Sequence, residues 1–395
     1  MKFRSITIGI PQEILQGERR VAAIPDTVGK MVAFGARVLI QSGAGAGSFI
    51  EDGQYLEKGA EIIGDVCEIY RQSDVILKVK EPRYHKELGV HEAELLRKNS
   101  ALICFLHPAN PVNYEGVNIL ARRGITSFTL DGIPRISRAQ HMDTLTAMST
   151  VAGYKAVFFA ANHLARFIPM MPTSAGIIKP AQFLIVGSGV AGLQSIANAK
   201  RLGAKVKTLD IRPEANEQAR SLGAETIEFN VPQDLAVGEG GYARRLTDEW
   251  YAREREVLAP HVSQSDVIIL TALIPGEVAP LIIDESMIKS MKKGSVIVDI
   301  AVDQGGNCSL TRCGEEYNHD GITISGIMNI PATLPVDATK MFAQSTFNFL
   351  SYLFEEGSLK SNSEDEIIQS TLVTSNRKIV HHGTLSAMEK ANINK

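Results

Sequence analysis

Three glycines, Gly187, Gly189 and Gly192, form a G-x-G-x-x-G turn directly after the apolar run Gln182–Val186 and directly before an amphipathic segment. Each has a physical task. Gly187 permits a tight turn, Gly189 lets the backbone approach a pyrophosphate, and Gly192 lets helix and strand pack closely. With Ser188 and Val190 between them, the turn opens a helix whose free N–H groups and positive dipole end face anionic oxygens. Asp210 ends the next strand, 18 residues after Gly192, where a carboxylate can accept hydrogen bonds from ribose hydroxyls. Strand, turn, helix, second strand and terminal acid together predict a dinucleotide site. The alternative is a glycine turn in a sugar- or phosphate-binding α/β domain. Asp210 favours NAD(H) over NADP(H), because a 2′-phosphate would meet a carboxylate; Arg212 nearby works the other way.

Other clusters carry less chemistry. Cys308 and Cys313 lack a second ligand pair, so no metal site is expected. His381-His382 reads as part of a solvated hairpin, and the run RERE from Arg253 to Glu256 as a solvated helix face.

The elements that must position these residues alternate. Ile6–Ile10, Val38–Gln41, Val75–Val79, Ala101–Leu106 and Thr126–Leu130 read as buried strands, and Thr27–Phe34, His91–Lys98 and Val112–Arg123 as helices between them. Such alternation implies βαβ units and a parallel sheet covered on both faces. A polar loop, PRISRAQHMD (134–143), then leads to a long apolar helix from Thr144 to about Ile168, ended by Pro169 and Pro172. A second alternation runs through Gln182–Val186, Lys205–Asp210, Asp266–Leu270 and Ser295–Ile300. After a helix around Thr339–Phe354, the runs Glu366–Val373 and Arg377–His381 could pair as a hairpin. The fold class is therefore α/β: two doubly wound Rossmann-like domains with a cleft between them. Residues 1–139, completed by 329–395, form one domain, and residues 140–328 the nucleotide-binding domain.

Composition narrows the function classes. With 41 basic and 44 acidic side chains the formal net charge is −3, which argues against nucleic acid as main partner. No apolar stretch long enough to span a bilayer occurs, and MKFRSITIGI is unlike a signal peptide. Four cysteines in 395 residues fit a reducing compartment. These features predict a soluble, cytoplasmic chain.

On these motifs, nearly the whole chain resembles the superfamily uniting alanine dehydrogenase with the NAD(H)-binding component of proton-translocating NAD(P) transhydrogenase. PRISRAQHMD is similar to the transhydrogenase loop at the nicotinamide end of the site, and GGYARRLTDEW to its mobile loop, an insertion alanine dehydrogenases lack. TALIPGEVAP and VTSNRKIVHHG are similar to further transhydrogenase segments. The resemblance implies that Arg135, Gln140 and Asp143 hold the nicotinamide and its ribose. Thr146 stands where serine is typical, and Tyr242 matches the tyrosine that closes over bound nucleotide. Read from the residues alone, Arg135 and Asp143 could equally cap and salt-bridge the long helix.

Four further residues resemble the substrate site of alanine dehydrogenase: Arg20 in GERRVA, Lys80 in KVKEP, His107 in FLHPA and Asp303 in AVDQGG. There, two cations would clamp a keto acid while the histidine and aspartate serve acid–base and positioning roles. The preferred expectation is an oxidoreductase, the NAD(H)-binding component of a transhydrogenase. It would pass hydride to NADP+ on a partner component, as a homodimer held peripherally at the cytoplasmic membrane face by membrane-spanning subunits. The alternatives are an alanine or small amino-acid dehydrogenase, and an NAD(H)-sensing module.

Overall fold

The computed structural model describes all residues except 239–240, 242, 275–277, 361–363 and 394–395; Tyr242 therefore lies outside the described residues. The chain divides into two compact units, Met1–Met148 with Leu334–Lys395, and Ser149–Thr333. The boundaries differ from 139/140 and 328/329. The loop before the long helix is tied into the first unit: Ala139 and Met142 are buried, and His141 O accepts from Asn348 Nδ2 at 2.7 Å. Arg138 Nη2 meets Asp365 Oδ1 at 3.2 Å.

In the first unit six short strands, β1 (Thr7–Ile10), β2 (Arg37–Gln41), β3 (Glu61–Ile63), β4 (Val75–Leu77), β5 (Ala101–Cys104) and β6 (Thr126–Thr129), form a parallel sheet. Their order is 3-2-1-4-5-6, and the strand Leu372–Ser375 adds antiparallel beside β6. Strands β1, β4 and β5 are apolar on both faces, as a sheet covered by helices requires. The order reverses between β1 and β4, and ligands of doubly wound sheets sit outside the carboxyl ends at such a switch point.

The second unit repeats the order with β7 (Gln182–Val186), β8 (Lys205–Leu209), β9 (Glu225–Thr226), β10 (Val267–Leu270), β11 (Val296–Asp299), β12 (Glu316–His319) and β13 (Ile322–Ser325). Five pairings are parallel in the sequence β9-β8-β7-β10-β11-β13, and β12 closes the edge antiparallel. Its switch point lies between β7 and β10, where the glycine turn leaves the sheet.

Helix α1 (Thr144–His163) is shorter than the apolar run suggests. Beyond Leu164 the chain finds partners outside the helix: Ala165 N–H donates to Gly294 O at 3.3 Å, and Arg166 meets Asp266 at 3.1 Å. In the tail, Glu366–Thr371 is helical, against the strand expectation, because Asp365 caps it by accepting the Ile367 N–H at 3.0 Å. The hairpin exists but is shorter, Leu372–Ser375 with Lys378–Ile379, turning at Asn376 and Arg377, both with positive φ. His382 begins a helix, His382–Ile393, instead of ending a strand.

One contact sets how α1 meets the phosphate-binding helix α2 (Val190–Arg201). A Cβ on Gly153 would lie 2.0 Å from Ala191 O, and Ser195 Oγ donates to Gly153 O at 3.0 Å. Gly153→Ala should therefore force the two helices apart and destabilise the unit by about 1–3 kcal/mol, the usual cost of overpacking. Urea unfolding with unchanged m-value and a lowered midpoint is the expected result.

Candidate functional site

The second unit builds the glycine turn from backbone geometry. Gly187 has φ +92°, a region that penalises any Cβ, and its carbonyl accepts from Thr271 Oγ1 at 2.8 Å. A Cβ on Gly192 would stand 1.9 Å from Gly187 O, so the third glycine is required by contact. Gly189 is the N-cap of α2 and has no side chain to occupy the first-turn N–H groups. Around it the space is open: the nearest atom to a Cβ there is Arg212 Nη2 at 3.8 Å. Bare N–H groups at a helix start with open space before them fit the diphosphate of a dinucleotide.

Asp210 follows β8 as the spacing predicts, but its carboxylate is already engaged. Oδ2 accepts the Ser188 N–H at 2.7 Å and Arg212 Nη2 at 2.8 Å, while Oδ1 accepts the Arg212 N–H and Nε, both at 2.9 Å. Glu254 is buried nearby, which corrects the reading of 253–256 as wholly solvated. In helix α3 (Asp248–Val262) it shares the inward face with Tyr251, Leu258 and Val262. Burial, reinforced by the Asp210 charge, pushes the Glu254 carboxyl up to about 8.

In the first unit the expected nicotinamide-end residues follow β6. Arg135 and Gln140 are exposed on the loop. Asp143 caps α1, accepting the Thr146 N–H at 2.8 Å and the Thr146 hydroxyl at 2.6 Å. The capping reading therefore holds for Asp143, and the threonine hydroxyl is its partner.

The dehydrogenase-like residues of this unit follow neighbouring strands: Arg20 after β1, Lys80 after β4 and His107 after β5. Asp303 lies in the second unit, exposed, after β11. Arg20 is buried and held by Glu18 through Nε at 2.8 Å and Nη2 at 2.6 Å. His107 adopts φ +42°, fixed by its N–H to Asp131 Oδ2 at 2.9 Å, and its Nδ1 lies 2.8 Å from Asp131 Oδ1. Burial alone would depress its imidazolium, and the Lys80 charge adds to that. The Asp131 charge and hydrogen bonds outweigh both and raise the pKa. Asp131 is correspondingly held down at about 2, the imidazolium and its hydrogen bonds overcoming burial.

Sequence reasoning missed Glu18 and Asp131, the partners of two residues it named. It also missed a buried network beneath Lys80. Lys78 Nζ donates to Glu92 Oε1 at 2.8 Å and sits 3.4 Å from Glu13 Oε2, while Glu13 Oε1 accepts the Val79 N–H at 2.5 Å. Burial pushes Glu13 up to about 7 despite Lys78. The two lysines of KVK thus point to different tasks, and strand alternation was the available signal.

Comparison with known proteins agrees with this layout. Residues 9–152 match the family Alanine dehydrogenase/PNT, N-terminal domain, and residues 156–382 match Alanine dehydrogenase/PNT, C-terminal domain. The chain is 40% identical over 377 residues to the first of the two-piece NAD(P) transhydrogenase alpha subunits, that of Rhodospirillum rubrum, covering 95% of this chain and 97% of that one. A crystal structure of transhydrogenase from Sinorhizobium meliloti superposes with a TM-score of 0.80 at 34% identity, over 95% of this chain and 99% of the other. An L-alanine dehydrogenase structure gives the same TM-score at 27% identity, over 98% and 99%.

Two titrations test the electrostatics. Protonated His107 should show an NMR pKa above its ordinary 6.5, and Asp131→Asn should bring it below. The stability this pair adds is present at acid pH and lost as pH rises through the raised value. Glu254 acts oppositely: its unfolded form ionises near 4.5 and its folded form near 8, so it erodes stability across that window. Glu254→Gln should flatten the decline, seen as a gain in Tm at pH 8 that is absent at pH 4.

Proposed function

The chain belongs to the alanine dehydrogenase/PNT family, and from that membership we propose that it is the NAD(H)-binding component of a proton-translocating NAD(P) transhydrogenase. The observation that carries the proposal is the open, uncapped glycine turn at a switch point, in a chain matching a transhydrogenase alpha-subunit chain over nearly its full length.

In this reading α2 receives the diphosphate through Ser188, Gly189 and Val190, and Asp210 serves the adenosine ribose. Arg135, Gln140, Asp143 and Thr146 serve the nicotinamide end, and Tyr242 closes over the nucleotide. When bound, NADH supplies a hydride, which NADP+ on a separate component accepts. The chain's residues hold the donor ring in a fixed orientation and add no proton transfer, since hydride passage between nicotinamides needs none. Among the described residues no helix is long and apolar enough to cross a membrane. Membrane-spanning and NADP-binding subunits would supply proton movement, with this chain, as a homodimer, peripheral on the cytoplasmic side.

A second reading, amino-acid dehydrogenation, is supported by the Asp131-oriented His107 with Lys80 acting on it. Arg20 would bind the substrate carboxylate beside Glu18, and Asp303 would assist His107.

NADH-dependent reduction of an NADP+ analogue, with the partner components added, should occur and should survive His107→Ala. NAD+ reduction by L-alanine should be absent; turnover lost on His107→Ala would establish the second reading instead. Because a Cβ on Gly189 meets only Arg212, Gly189→Ala should leave Tm within about 2 °C of the parent chain. It should also weaken NADH binding by about tenfold or more through its obstruction of the diphosphate. Unchanged affinity would remove the glycine turn from the proposal.

A further inference from the structure

Arg212 stands where nicotinamide nucleotides with and without a 2′-phosphate differ, at the end of β8 beside the glycine turn. Its side chain holds Asp210 in a two-pronged grip through Nε at 2.9 Å and Nη2 at 2.8 Å. The third nitrogen, Nη1, donates to Gly241 O at 3.2 Å, and Nη2 lies 3.8 Å from the Cβ position of Gly189. The guanidinium is therefore fixed on the ribose side of the phosphate turn, and it is not a free surface charge.

The acceptor count on Asp210 gives this position its consequence. A carboxylate oxygen offers about two good acceptor directions. Here Oδ1 takes the Arg212 N–H and Nε, and Oδ2 takes the Ser188 N–H and Nη2. The Asp210 side chain is 4% exposed against 13% for Arg212, so a ligand meets the guanidinium more readily than the carboxylate. A ribose diol must displace the guanidinium to reach Asp210. A 2′-phosphate is itself a bidentate partner for a guanidinium, and the pair carries no net charge to repel it.

We propose that Arg212 is a specificity-determining residue of the nucleotide site: it screens Asp210 and so sets the preference between a 2′-hydroxyl and a 2′-phosphate. The inference rests on the reading that the second unit binds a nicotinamide nucleotide. It departs from the expectation that Asp210 alone selects NAD(H).

The test is isothermal titration calorimetry of the full chain with NADH and with NADPH, for the parent protein, R212A, R212Q and R212K. Removing the fork frees Asp210 for the ribose and leaves a 2′-phosphate facing a bare carboxylate. R212A and R212Q should hold or improve NADH affinity and lose about tenfold or more in NADPH affinity, so the ratio of the two shifts by at least that factor. R212K keeps the charge without the fork and should fall between. Parallel loss of both affinities, or an unchanged ratio in the variants that retain the parent melting curve, would overturn the inference and leave the nucleotide site standing. Failure of the parent chain to bind either nucleotide would overturn that reading, and this inference with it.

Discussion

Gly192 and Gly187 meet at a distance that no side chain survives: a Cβ on the third glycine would sit 1.9 Å from the carbonyl of the first. That contact holds α2 close against the carboxyl end of β7 and aims its uncapped first turn outward. Thr271, following β10, closes the same carbonyl from the other side of the switch point. On α1, Gly153 admits Ala191 O where a side chain would have excluded it. Three independent pieces of chain thus converge on one turn, and each works by lacking atoms or by donating a single hydrogen bond. Nucleotide binding, as proposed for this chain, rests on backbone proximity.

The first unit is organised by charge pairing. Arg20 is matched by Glu18, His107 by Asp131, and Lys78 by Glu92 with Glu13. Buried ions without partners would shift pKa or unfold the region, so the charges at the carboxyl ends of β1, β4 and β5 are set in fixed places. A chain that needed only a wall for a nucleotide would not require such order. The pairing explains how residues resembling a dehydrogenase pocket persist in a chain whose full-length likeness runs to transhydrogenases at higher identity.

The glycine turn and its flanking strands are legible in the sequence because local rules decide them: spacing, apolar runs and a terminal acid. The identity of Asp210's partner is not, since it depends on how Arg212 folds back two residues later. Glu254 sits in a run of four charged residues, and composition alone suggests a wet face. The helical phase shared with Tyr251, Leu258 and Val262 places it inside. EIIQST reads as a strand by its content, yet Asp365 caps it as a helix. Likewise α1 stops at His163 because Asp266 and Gly294 capture the following residues, which no reading of the apolar run alone could show.

The central claim is direct hydride passage from a nucleotide held by this chain. It is tested by supplying NADH deuterated at the transferable C4 position, together with the NADP-binding and membrane-spanning components, and analysing the NADPH by mass spectrometry. Direct passage predicts that the deuterium arrives in NADPH undiluted, with none in water. Label lost to solvent, or recovered in an amino acid when a keto acid and ammonia are present, would contradict it.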